Sequence, residues 1–216
     1  RALCPNCGAS VQFKSAASQL AICDFCRSTL RRSGDELERI GQMAELFDDH
    51  SPLQIGAEGT IAVDSGSSAG AGAADEIKLS GHFGIIGRLQ YRYAEGVWSE
   101  WHLLLDNGNR GWLSEDNGSY ALTREIGERS DLPAAESFQA GQSLRLEGRT
   151  CQIASIVQAQ LIAAAGELPF APALNQPFSL IDARSVDGYI ATLDYSEAKS
   201  KNSVRIYAGK PITLGA

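Results

Sequence analysis

The sequence predicts a mainly β protein with three parts: a small Cys4 zinc ribbon, a connecting helix, and two related antiparallel β units forming a barrel- or sandwich-like pseudo-duplicate. Three observations lead to this prediction. Two C-x2-C pairs stand near the start, short strand-like runs alternate with turn residues after Leu53, and parts of the second half repeat the first. The predicted boundaries are 1–32 for the ribbon, 33–50 for the helix, and 51–127 and 128–216 for the two β units.

The composition is that of a globular protein. Hydrophobic residues make up 44% and charged residues 21% of the 216 positions, and no run approaches the roughly 20 apolar residues of a membrane helix. The paired cysteines are typical of a metal site in a reducing compartment, so we expect a cytoplasmic protein with no membrane span. The net charge of −7 disfavours nucleic acid as a partner, because such binding relies on Lys and Arg at phosphates.

The strongest motif is the pair of cysteine knuckles. Cys4 and Cys7 form the first pair, and Cys23 and Cys26 form the second, after fifteen intervening residues. This spacing is typical of a metal site, because each short turn directs two thiolates at a common ion. Four thiolates complete a tetrahedral shell and leave no position for a substrate, so we predict a structural Zn²⁺. Iron in the same shell and a pair of disulfides are the alternatives.

The segment from Ser33 to His50 is predicted to be one helix. Ser33 and Glu36 have the spacing of a capping box. Apolar residues then recur at three- and four-residue steps, as on one helix face: Leu37, Ile40, Ala44 and Phe47. Within the ribbon, short strands are expected at 11–13 and 20–22, forming a hairpin.

The β body is predicted from turn residues between strand-like runs. Ala94-Glu95-Gly96, Asp106-Asn107-Gly108 and Asp116-Asn117-Gly118 suit tight hairpins, because they tolerate positive φ. The runs between these turns are expected to be strands at 82–93, 97–105, 110–114 and 119–123. A stretch of small residues at 64–75 is expected to be an exposed loop between two strands.

A weak internal repeat suggests the duplication. Gln54-Ile55-Gly56 matches Gln139-Ala140-Gly141, and Leu79-Ser80-Gly81 matches Leu146-Glu147-Gly148. Later in the chain, residues 104–106 match 180–182, and residues 111–114 match 188–191. The second of these matches makes Tyr189 the expected counterpart of Trp112. The matches keep their order along both halves, so we expect two similar β units packed together.

Three segments of the first unit resemble a known family. Ile86-Gly87-Arg88-Leu89-Gln90, the run from Val97 to Leu104, and Gly111-Trp112-Leu113-Ser114-Glu115 are similar to the bacterial domain-of-unknown-function family DUF4178. The resemblance implies a β-rich body with a tryptophan-rich W-x-E-W-[YH] strand, in some members behind a Cys4 ribbon. It also implies a context of membrane-associated and stress-linked proteins. It implies no activity and no catalytic residue.

No convergent catalytic set is visible, so we expect no enzyme. His50, His82 and His102 lack partners at a defined spacing. Cys151 alternates with apolar positions along a strand and is expected to be a small buried residue. If the chain is nevertheless an enzyme, its site is expected in the groove between the β units and would use Asp106, Arg88 or His102.

The leading hypothesis is a non-catalytic adaptor that binds another protein. Trp98 and Trp101 differ by three positions, so in a strand they face opposite sides of the sheet. One is expected in the core, and the other, beside Glu100 and Arg88, is a candidate partner-binding residue. The alternative is that the second β unit covers both tryptophans.

A cluster of arginines, Arg27, Arg31 and Arg32, is the alternative binding surface, for nucleic acid through the ribbon. It lacks interleaved aromatic residues that could stack on bases. The alternatives for the same arginines are a solvated face and pairing with Asp35 and Glu36 at helical spacing.

Overall fold

The computed structural model describes residues 2–61, 79–171, 173–196 and 203–215. Fifteen strands are assigned there: β1 (Ala2–Leu3), β2 (Ser10–Val11), β3 (Leu20–Ile22), β4 (Ser28–Ser33), β5 (Glu36–Gln42), β6 (Glu58–Ile61), β7 (Gly81–Tyr93), β8 (Gly96–Leu105), β9 (Arg110–Asp116), β10 (Ser119–Arg129), β11 (Ser143–Leu146), β12 (Arg149–Leu168), β13 (Pro177–Arg184), β14 (Ile190–Asp194) and β15 (Val204–Ile212). A 3-10 turn lies at Ala135–Ser137. Across these residues no helix is long and apolar enough to cross a membrane. The loop predicted at 64–75 lies outside the described residues.

Eight of the strands form a closed antiparallel sheet. β7, β8, β9 and β10 pair in chain order as a first meander, and β12, β13, β14 and β15 do the same as a second. β10 then pairs with β15, and β12 pairs with β7, so the ring has no open edge. The mainly β, antiparallel fold class predicted from the sequence is therefore confirmed.

The two meanders share local backbone geometry at their starts. The Gly56 amide donates to the carbonyl of Ile85, whose own amide donates to Ala57. In the second half Gly141 donates to Ile153, whose amide donates to Gln142. Both glycines have positive φ, 93° and 82°. In each half the strand pairing shifts register directly after this isoleucine.

In the later strands, comparing the two meanders corrects which residue of the second corresponds to which residue of the first. The β8–β9 turn is closed by Leu105 and Asn109, and the β13–β14 turn by Ser185 and Tyr189, through the same pair of backbone hydrogen bonds. Trp112 therefore corresponds in position to Thr192, and not to Tyr189. The repeat read from the sequence paired Trp112 with Tyr189 because it aligned short apolar runs, whereas the structure aligns the turns.

The connecting helix predicted for 33–50 is wrong. β4 and β5 form a hairpin instead, with Ser33 opposite Glu36 and Gly34 at φ +61° in the turn. Glycine at the first central position suits a type II′ hairpin turn, so the capping-box spacing was a turn signal. Leu37 and Ile40 pack against two different cores, which is the arrangement on opposite faces of a strand.

Residues 43–50, the second part of that predicted helix, run without regular secondary structure across β7 and β8. The side-chain amide of Gln90 accepts from the Phe47 amide at 2.7 Å and donates to the Phe47 carbonyl at 2.7 Å. The Asp49 carboxylate accepts from Arg88 and from Ser99. This segment, called the strap below, is therefore held by side chains and not by helical hydrogen bonds.

The N-terminal part, β1 to β5, is called the cysteine module. β1 pairs with β2, while β3 pairs with β4 and with the end of β12. The hairpin predicted between 11–13 and 20–22 is wrong, because β2 and β3 have these other partners. Through β3, the module extends the sheet of the β body.

The packed cores lie mainly outside the ring. One core belongs to the first meander and includes Trp101 and Leu103; another belongs to the second and includes Ile181 and Leu193. A third joins Leu20 of the module to the residues inside one end of the ring, among them Trp112. Between the meanders, several inward-facing residues are only half-buried, although their outward-facing neighbours are buried: Trp98, Glu100, Ser114, Leu180, Asp182, Thr192 and Asp194. The ring therefore encloses unfilled space.

Candidate functional site

Two sites stand out, a four-cysteine cluster in the module and a cavity between the meanders. In the first, the sulfur atoms of Cys4, Cys7, Cys23 and Cys26 all lie within 4.8 Å of one another. The Sγ atoms of Cys4 and Cys26 are 3.7 Å apart, as are those of Cys7 and Cys23. Sulfurs bound tetrahedrally at about 2.3 Å lie about 3.8 Å from each other. The cluster therefore has the geometry of a closed metal site.

The two knuckles are built in the same way. The amide of Gly8 donates to the carbonyl of Cys4, and the amide of Arg27 donates to the carbonyl of Cys23, both at 2.9 Å. Gly8 and Arg27 both adopt positive φ, 76° and 61°. Arg27 thus takes the position that glycine takes in the first knuckle.

Side chains fix the module to the β body. The Arg27 guanidinium donates to the carbonyls of Ala44 and Ala164, each at 2.7 Å. The buried Glu167 carboxylate accepts from the amides of Lys14 and Ser15. The four-cysteine cluster is therefore tied to β12 and the strap.

The three arginines of the cluster contact other residues of the chain. Arg27 makes the contacts just described, and burial lowers its pKa. Arg32 lies 4.0 Å over the Phe13 ring and donates to the Ala16 carbonyl. Arg31 lies 3.8 Å from Glu38 across the hairpin, and not beside Asp35 or Glu36 as a helix would require. The three side chains do not form one open basic surface.

The four candidate partner-binding residues, Arg88 on β7 and the other three on β8, divide between the two faces of the sheet. Trp101 is 1% exposed, with the Arg88 guanidinium 4.2 Å over its ring, and Arg88 is 8% exposed. Trp98 and Glu100 face the other side, into the cavity between the meanders. Trp101 is covered by Arg88 and by the core of its own meander, and Trp98 is half-buried on the side of the other meander, so the second β unit does not cover both tryptophans.

The three histidines and Asp106 do not converge. His102 is buried, with Nδ1 2.9 Å from the Glu167 carbonyl oxygen, and burial lowers its pKa to about 4. His82 lies at the surface, 3.2 Å from Asp106. His50 is exposed beside Asp48 and ends no helix. Arg88 is engaged by the strap. The enzyme site expected from Asp106, Arg88 or His102 is therefore not assembled.

Cys151 is 0% exposed within the core of the second meander, and burial raises the pKa of its thiol. The small buried residue expected from the sequence is confirmed.

A cavity lies between the meanders, where the sequence placed the groove of the alternative enzyme site, but none of Asp106, Arg88 and His102 lines it. It has a volume of about 540 Å³, and its walls include Trp98, Glu100, Ser114 and Asp182. The residue pattern of β8 could have indicated that Glu100 is enclosed. Its two faces carry alternating residues: Trp98, Glu100 and His102 on one, and Ser99, Trp101 and Leu103 on the other. A strand with large apolar residues on both faces is covered on both faces, so an acid among them is enclosed.

Comparison with known proteins gives one match. A family model described as a domain of unknown function (DUF4178) matches residues 75–214. No curated protein and no solved structure matches the chain. The matched segment spans β7 to β15, and so both meanders, while the cysteine module precedes it.

Proposed function

The chain belongs to the DUF4178 family, a domain of unknown function, and from that premise we propose a non-catalytic, zinc-binding adaptor of the cytoplasm. The four cysteines would hold Zn²⁺, which needs no further ligand once four thiolates are bound. The ion would stabilise a module whose own core is only a small cluster around Leu30. A reducing compartment would keep the thiols available for metal.

The exposure of Phe25 is the observation that favours an adaptor. Phe25 lies inside the second knuckle, between Cys23 and Cys26, with 82% of its surface exposed. Leu3, directly before Cys4, is 68% exposed. Aromatic residues at such exposed, rigidly held positions are typical anchors of protein interfaces. The knuckle is rigidly held because Arg27 ties it to the strap and to β12.

The proposal commits to a protein partner that takes Phe25 into an apolar pocket. A photo-reactive amino acid at position 25 should give one defined adduct in cells of the source organism. The same residue at position 186 is the matched control, because Val186 is fully exposed but lies in the β13–β14 turn. Equal adducts from both positions would count against the proposal, as would unchanged recovery of the partner with Phe25→Ser.

Metal content is measured on the same protein. We expect a single zinc ion per chain by elemental analysis, lost in Cys26→Ser. Visible absorption with equivalent iron content would instead assign the cluster to iron.

A further inference from the structure

The cavity between the meanders has the dimensions of a ligand site. Its volume of about 540 Å³ lies within the 300–1,000 Å³ typical of small-molecule pockets. Asn117 and Ser119 line one end and are exposed, so the cavity opens to solvent at the β9–β10 turn. Glu100 and Asp182 line its interior. A small molecule can therefore reach both carboxyl groups.

These two carboxyl groups accept hydrogen bonds only from neutral donors. Glu100 accepts from the Ser114 hydroxyl at 2.7 and 2.8 Å and from the Trp98 indole at 3.1 Å. Asp182 accepts from the hydroxyls of Ser155 at 2.9 Å and Thr192 at 2.7 Å. Within the described parts of the chain, no Lys or Arg forms an ion pair with either of them. Enclosed carboxylates are ordinarily paired with a cation.

The negative charge in the cavity is costly to the protein alone. Burial, with a smaller contribution from the nearby carboxylates of Asp182 and Asp194, raises the pKa of Glu100 to about 7. Arg184 also lines the cavity, but it is exposed. A bound cation would offset the negative charge of Asp182 and of ionised Glu100.

The cavity wall also offers aromatic faces. Trp98 stacks on Tyr91 with ring centroids 5.0 Å apart, and Tyr93 meets it edge-on at 5.1 Å. The indole is thereby fixed, and Trp98, Tyr93 and Tyr120 all line the cavity. Aromatic faces near carboxylates attract organic cations through the ring quadrupole.

We propose that the cavity between the meanders binds a small organic ammonium ion, with Glu100 and Asp182 matching its charge and Trp98 contacting its carbon groups. The site does not depend on the cysteine module's partner, so this proposal and the adaptor function can fail separately. The carboxyl pair favours a cation over a neutral polar ligand, because a neutral ligand would leave the charge of Asp182, and that of ionised Glu100, without a cation.

The test compares choline with 3,3-dimethylbutan-1-ol, its uncharged isostere, by calorimetric titration of the whole chain. We expect saturable binding of choline and at least about tenfold weaker binding of the alcohol. Glu100→Gln and Asp182→Asn should each weaken choline binding about tenfold, which corresponds to about 1.4 kcal/mol. Glu36→Gln, in the exposed β4–β5 turn, is the matched control and should leave binding unchanged.

Three outcomes would overturn the proposal. The first is no saturable binding of choline or of n-butylammonium at millimolar concentrations. The second is equal affinity for choline and its isostere, which would indicate a neutral ligand or non-specific apolar binding. The third is unchanged choline affinity in both Glu100→Gln and Asp182→Asn, with thermal unfolding confirming that each variant is folded.

Discussion

Replacing Glu100 with Gln should stabilise the protein, and the gain should grow with pH. The folded state raises the pKa of Glu100 from 4.5 to about 7, mainly through burial. Between these values the folded protein binds more protons at this site than the unfolded chain, so the stability of the native protein falls as pH rises. Glutamine is uncharged at every pH and has no such loss, while it can keep hydrogen bonds to Ser114 and Trp98.

The magnitude follows from the size of the shift. Each pKa unit corresponds to about 1.4 kcal/mol, and the pKa moves by about 2.5, so the difference reaches about 3 kcal/mol above pH 7. This figure is an upper limit, because part of Glu100 faces the cavity, where water screens its charge. Below pH 4 the Glu100 carboxyl is protonated in both the folded and the unfolded state. The difference in free energy of unfolding between the two proteins should therefore not change with pH there.

The assay is urea unfolding of both proteins from pH 4 to 8. The assay compares the free energies of unfolding of the two proteins, because buried His102 changes the stability of both with pH in the opposite direction. Its pKa is lowered to about 4, so its contribution to stability is lost as pH falls below about 6.5. Glu36→Gln serves as the exposed control. A Glu100→Gln gain that is the same at pH 4 and pH 8, or a loss that grows with pH, would refute the reasoning.

Three further predictions concern the metal site, the strap and the join between the meanders. A strong chelator, or Cys26→Ser, should lower the unfolding temperature by at least about 5 °C, since metal binding contributes directly to folding; an unchanged temperature would show that the cluster is not a structural metal site. Asp49→Ala should cost about 3 kcal/mol in urea unfolding, because it leaves the Arg88 guanidinium largely buried and unpaired, and adding Arg88→Met should recover part of that loss. Gly209→Ala should cost about 3 kcal/mol or prevent folding, because a Cβ there would lie 1.8 Å from the Leu122 carbonyl oxygen; Gly84→Ala, whose Cβ would meet nothing within 4 Å, should change little.

Features that depend on residues close together in the chain were predictable. The strands expected at 82–93 and 97–105 are β7 and β8, and the Asn117-Gly118 turn joins β9 to β10 with positive φ at both residues. The four cysteines converge because each knuckle is a local turn. In these cases the residue pattern and the local geometry agree.

The helix was mispredicted because its periodicity was ambiguous. Leu37 and Ile40 are three residues apart, a spacing that fits one face of a helix or two faces of a strand. The choice between them depends on β4, which pairs with β5, and on the two cores that receive these side chains. Tertiary contacts, not local propensity, decided the structure here.

The cavity could not be derived because ring closure is non-local. It depends on the pairing of β7 with β12 and of β10 with β15, across at least seventy residues of sequence in each case. Without those pairings, Glu100 and Asp182 have no reason to share a space. The sequence suggested a groove between two units, but not which side chains line it.

The closure of the sheet also constrains the order of folding during synthesis. β7 needs β12, and β10 needs β15, whose residues Val204–Ile212 leave the ribosome last among the assigned strands. Until β12 and β15 emerge, the edges of β7 and β10 that they cover in the folded protein stay unpaired, and such edges are prone to pair with other chains. We expect the nascent chain to depend on chaperones until β15 emerges, and fragments that stop before β15 to aggregate during translation.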